Sequence, residues 1–150
     1  MNELPYLSAL TGPMTRTDGN GLWFDLGCDP QETNRLGTAI AAILSTRAVG
    51  TVLSWEGEEE AVLAHVVASA MGARRATVVQ ERGLLFTSAE PPAGSTVALV
   101  ATRLTSSRPM LPVMEMMRER GHRFDCALTL HPPRLHVPPA DLLPPVADGR

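Results

Sequence analysis

The stretch GSTVALVATRLTSSRPMLPVMEMMRERG, residues 94–121, runs from an apolar strand through a hydroxyl-rich loop into a helix. Val97, Ala98, Leu99 and Val100 form a continuous apolar run of the kind that fills a central parallel strand. Thr105, Ser106 and Ser107 follow in a loop of small side chains, and Leu111, Met114 and Met117 then recur at helical spacing. Small residues ahead of a helix let backbone N–H groups converge on an anion, and the positive end of the helix adds to the attraction. The stretch therefore predicts a phosphate cradle. Its parts are the backbone amides from Leu104 to Ser107, the hydroxyls of Thr105, Ser106 and Ser107, and the guanidinium of Arg108. The same residues are open to a plainer role, with Ser107 as the N-cap of the helix and Thr105 and Ser106 completing a loop.

Working outward, strands and helices alternate. Residues 51–55, TVLSW, read as a buried strand, and residues 58–71 as an amphipathic helix with Val62, Leu63, Val66 and Val67 inward and Gly72 as its C-cap. Upstream, Leu36, Ile40, Ile43 and Leu44 set a helix from Asp29-Pro30 to near Gly50, preceded by a short strand in GLWFDLG, residues 21–27. Residues 75–80 and 83–87 form two short strands about a tight reversal at Glu81-Arg82-Gly83, and residues 124–130 form the last strand. The helix after the hydroxyl loop is expected from about Pro109, with Pro112 disturbing its first turn. This order predicts an α/β fold, a doubly wound, mainly parallel sheet with helices on both faces. Ligands in such folds sit at the carboxyl ends of the strands, where the hydroxyl loop lies.

The ends read differently. Residues 1–20 hold Pro5, Gly12, Pro13 and Gly19 with few apolar anchors, and are expected to form a loosely structured lead-in. Residues 131–150 hold six prolines and read as a semi-rigid tail, with Leu135, Leu142 and Leu143 as its pins to the body. Residues 21–130 are the expected domain.

Composition narrows the function. At 150 residues and 44% apolar content the chain suits one soluble domain. A net charge of −3 argues against nucleic acid as a partner. No apolar run is long enough to span a bilayer, and no basic-then-apolar leader opens the sequence, so a cytoplasmic location is the default expectation. Cys28 and Cys126 are far apart and outside any CxxC pair, so neither a zinc site nor a disulfide framework is expected, and Cys126 reads as buried. All thirteen cations are arginine. Without lysine, the chain has no amine for Schiff-base or general-base chemistry. His65, His122, His131 and His136 share no metal-binding spacing.

From about residue 21 to residue 130 the chain resembles the type I phosphoribosyltransferases, and among them orotate phosphoribosyltransferase. Residues 97–107 resemble the phosphoribosyl pyrophosphate motif, residues 54–60 the pyrophosphate loop with Glu56, Gly57 and Glu58, and AVLAHVVASAMG, residues 61–72, the helix behind that loop. Residues 80–87 occupy the place of the mobile catalytic flap. The resemblance implies that two acidic residues should follow the apolar strand, gripping the ribose hydroxyls and helping to hold magnesium. Ala101 and Thr102 stand there instead. Glu56, Glu58, Glu59 and Glu60 also crowd the pyrophosphate region, where like charges repel by about 1 kcal/mol each even in water.

Three functions are open, two of them from the resemblance and the third from the methionines of the last helix. The preferred one is a domain without transferase activity that binds a phosphorylated small molecule, a nucleotide or a ribose phosphate, or a protein partner. A second is an active orotate-type transferase whose Mg2+ contacts come from Glu56 or Glu58. A third is a structural dimerisation subunit, a homodimer built on Met110, Met114, Met116 and Met117. No other cofactor or metal is expected.

Overall fold

The computed structural model describes residues 2–138. Among the described residues, nine strands and four α-helices follow in the order β1 (Asn2–Glu3), α1 (Tyr6–Thr11), β2 (Thr15–Asp18), β3 (Gly21–Phe24), α2 (Pro30–Ser45), β4 (Thr51–Trp55), α3 (Glu58–Met71), β5 (Arg74–Glu81), β6 (Leu84–Thr87), β7 (Thr96–Ala101), α4 (Leu111–Glu119), β8 (Arg123–Leu130) and β9 (Pro133–His136). Seven strands form one sheet in the order β1-β9-β8-β7-β4-β5-β6, and β2 and β3 form a separate pair. The centre, β8-β7-β4-β5, is parallel, and both ends close with antiparallel strands.

Strand alternation divides the core between the two faces of the sheet. Val52, Ala98, Val100, Cys126 and Leu128 turn towards α2 and α3, while Leu53, Trp55, Val97, Leu99 and Ala127 turn towards α4. Because β4 is buried along its whole length, its sequence carries no polar alternation. Helix α2 opens with the Asp29 side chain accepting from the Glu32 N–H, a cap of about 1 kcal/mol, and α3 ends on Gly72 in the left-handed conformation. The helices on both faces match the doubly wound expectation.

The ends of the described chain correct two expectations. Residues 2–18 are not a loose lead-in: α1 and the 3-10 turn after it bury Leu7 and Met14 completely, and β1 pairs with β9. A six-residue helix is too short for its periodicity to stand out, and the partner of β1 lies more than a hundred residues away in sequence. Nor does the tail begin at 131. Pro133 opens β9, a position where a strand tolerates proline, and Leu135 is buried between β8 and β1. Leu142 and Leu143 lie outside the described residues.

Helix α4 also settles the methionines. Met114, Met116 and Met117 are buried in the chain's own core and Met110 packs against it, so this helix presents no methionine face to a partner. The helix begins at Leu111, which places Pro112 in its first turn, where the missing N–H disturbs nothing.

Candidate functional site

At the carboxyl ends of β4 and β7 the chain leaves the sheet twice, through Glu56 and Gly57 into α3 and through residues 102–110 into α4. The β2–β3 pair stands over these two exits and supplies Leu22, Trp23 and Phe24 as a third wall. Between them lies a cleft of about 460 Å³, lined also by Gly57, Glu58, Glu59, Glu60, Thr102, Arg103, Thr105, Ser107 and Arg108. Two long-range contacts hold the third wall in place. The Glu59 carboxylate accepts from the Leu26 N–H at 2.7 Å, and the Arg103 guanidinium donates to the Leu22 carbonyl.

The hydroxyl loop is folded on itself. The Thr105 hydroxyl accepts from the Arg108 N–H at 3.1 Å and lies 3.1 Å from the Ser107 hydroxyl, while the Thr105 N–H donates to the Arg108 carbonyl. That closes residues 105–108 into a turn and leaves the amides of Leu104, Ser106 and Ser107 without a backbone acceptor among the described residues. Ser107 does not cap α4: the N-cap is Met110, with no side-chain bond. The loop is therefore not explained by capping. Thr105, Ser107 and Arg108 face the cleft, Ser106 is exposed outside its lining, and Leu104 turns inward against the α4 side of the core.

Beneath the loop sits Glu60. Only 2% of it is exposed, and its carboxylate accepts from the Thr102 N–H at 3.0 Å and from the Thr102 hydroxyl, with Arg108 at 3.9 Å. Burial pushes the Glu60 carboxyl above its ordinary range, and the Thr102 bonds and Arg108 offset only part of that rise. Gly57 lies beside this arrangement: its φ of +149° favours glycine, and its Cα is turned towards the terminal nitrogens of Arg108.

No protein-family model and no curated protein sequence matches the chain. Solved structures do. Adenine phosphoribosyltransferase from Saccharomyces cerevisiae superposes with a TM-score of 0.68 at 13% identity, over 84% of this chain and 88% of that one. Orotate phosphoribosyltransferase from Aeropyrum pernix superposes with a TM-score of 0.57 at 16% identity, over 77% and 71%. Leishmania donovani UMP synthase superposes with a TM-score of 0.58 at 13% identity, over 83% of this chain and 30% of that one. The chain has the type I phosphoribosyltransferase fold.

Within the phosphoribosyltransferase fold, the two residues at the end of β7 carry no carboxylate. Ala101 ends β7 with 1% exposure and brings no oxygen, and Thr102 is engaged by Glu60. Gly57 and Glu58 line the cleft, whereas Glu56 is exposed and outside the lining. Residues 80–87 do not form a flap over it. Arg82 and Gly83, both with positive φ, close a tight hairpin in which Glu81 faces Leu84, so the segment has no length left to reach the cleft.

Glu59 is committed to Leu26 and Glu60 to Thr102, and among the described residues no three His, Cys, Asp or Glu side chains converge as metal ligands would. Among the described residues, no helix is long and apolar enough to cross a membrane.

The residues that local sequence did not single out are Leu22, Trp23, Phe24, Arg103 and the special position of Glu60. For Glu60 a signal existed. Counting back from Leu63, Ala64 and Val67 at helical spacing puts it on the buried stripe of α3.

Proposed function

We propose that this chain is a cytoplasmic phosphoribosyltransferase-like domain that binds a phosphorylated small molecule, a nucleotide or ribose phosphate, without transferring phosphoribosyl groups. The observation that supports it most is the split at the end of β7. The loop keeps amides at Leu104, Ser106 and Ser107 that find no backbone acceptor among the described residues, two hydroxyls at Thr105 and Ser107, and a half-exposed Arg108. The two strand-end positions before it offer no free carboxylate, being Ala101 and Thr102. A phosphate can be held by such a loop through charge-assisted hydrogen bonds. The ribose hydroxyls and a metal ion would meet no acid at 101 or 102.

Calorimetry with ribose 5-phosphate, nucleoside monophosphates and phosphoribosyl pyrophosphate tests the binding half. Heat with at least one of them is expected, and its absence with all would leave association with another protein chain as the surviving function. A pyrophosphate-release assay with orotate, uracil, adenine, guanine and hypoxanthine tests the other half, and turnover above background would overturn it.

A further inference from the structure

Glu60 has no task in phosphate binding, yet it is the most completely enclosed charge in the cleft. It stands on the inward stripe of α3, in line with Leu63, Ala64 and Val67, where an apolar side chain would pack without penalty. A well-packed apolar side chain is commonly at least as stabilising as a buried carboxylate, even one whose partners satisfy it.

Its partners are those an anionic ligand would seek. The Thr102 N–H and hydroxyl both point at it, and Arg108 closes over it across Gly57. The hold on Arg108 is nevertheless loose, at 3.9 Å, and 43% of that side chain remains exposed and able to turn outward. The remaining charges of the lining do not favour a phosphate either. Glu58 and Glu59 add two carboxylates, and of the two arginines Arg103 is already engaged at the Leu22 carbonyl.

We propose that Glu60 is an autoinhibitory latch: its carboxylate holds the partners that a ligand's anion would otherwise take, and a phosphorylated ligand binds by drawing Arg108 away from it. This rests on the phosphate-binding function proposed above and adds its control. The latch weakens binding of simple phosphates and reserves the cleft for a ligand with enough further contacts to displace it.

The test compares the wild-type chain with Glu60→Gln and, as an opposing variant, Thr102→Val, each shown by thermal melting to be folded. In calorimetric titrations with ribose 5-phosphate, Glu60→Gln should bind about fivefold more tightly or better, the scale of one relieved like-charge contact. Thr102→Val takes a hydroxyl donor from Glu60, leaves its carboxylate more dependent on Arg108, and should weaken binding; tighter binding by a folded Thr102→Val counts against the latch. Equal or weaker binding by a folded Glu60→Gln overturns the latch while leaving the phosphate site standing. If neither wild type nor variant binds, the phosphate site fails, and the latch is judged without ligand by the rate at which phenylglyoxal modifies Arg108, read by mass spectrometry. A several-fold faster rate in Glu60→Gln supports the latch, and an unchanged rate overturns it.

Discussion

Gly37 of α2 lies directly against the backbone of Val66 in α3, so closely that a Cβ at Gly37 would stand 2.7 Å from the Val66 carbonyl oxygen. Helices α2 and α3 are thus in contact through their main chains at one point. Gly37→Ala forces them apart, and overpacking of this kind is expected to destabilise by about 1–3 kcal/mol. The melting temperature should fall by roughly 2–4 °C per kcal/mol. A melt unchanged from wild type would show that the helices separate without penalty.

Arg108 and Glu60 should move ligand affinity in opposite directions. Arg108→Ala removes the one full charge of the hydroxyl loop and should weaken ribose 5-phosphate roughly ten- to a hundredfold in calorimetry. An affinity within twofold of wild type would place the phosphate elsewhere.

Restoring an acid at 102 should harm the fold. Thr102→Asp brings a second carboxylate against Glu60, which loses its hydroxyl donor in the same step. Repulsion at that range is about 1–4 kcal/mol at aqueous to near-surface dielectric. Urea denaturation should show a loss of this order, and combining Thr102→Asp with Glu60→Gln should recover most of it. Additive losses in the double variant would mean that the two carboxylates do not meet.

A pH-dependent brace lies at the other pole of the sheet. The buried His122 ring has Nε2 at 2.7 Å from Glu90 and Nδ1 at 3.3 Å from the Ser95 hydroxyl, and Arg120 reaches the second Glu90 oxygen at 3.1 Å. The His122 hydrogen bond, with Arg120 adding to it, holds the Glu90 carboxyl below its ordinary value of 4.5. A depressed carboxyl contributes stability that is fully present above its unfolded value and is lost as pH falls through the folded one. Melting curves of wild type and Glu90→Gln should therefore differ at pH 7 and converge towards pH 3. A constant difference across that range would count against the brace.

The two thiols should be chemically distinct. Cys28 is exposed, whereas Cys126 is fully buried and burial pushes its thiol up to about 12. Iodoacetamide at pH 8 should label the native protein once and the urea-unfolded protein twice, as read by mass spectrometry. Double labelling under native conditions would show that the β8 core opens readily.

Long apolar or periodic segments made most of the sheet legible before any coordinates. Residues 51–55 and 58–71 coincide with β4 and α3 because burial on both faces and a full helical stripe leave unambiguous patterns. Helix α1 and strands β1 and β9 were hidden because each is only a few residues long and is held by distant contacts rather than by propensity. The site divides in the same way. The hydroxyl loop and Gly57 are local chemistry, whereas the bond from Arg103 to Leu22 spans 81 residues and only the fold creates it. Glu60 was obscured by its neighbours, since three glutamates in a row at a helix start read as a solvated first turn.

The pairing of Asn2 with Leu135 places the first described strand alongside the last, at one margin of the main sheet. The described chain is therefore nearly a ring, interrupted only by the short gap between two neighbouring strands. A permuted gene that bridges this gap with a flexible linker and opens instead at Arg82-Gly83 would preserve every strand pairing across the sheet. It would also make β6 the starting strand, so that the cleft walls would be synthesised in a new sequence around an unaltered cradle.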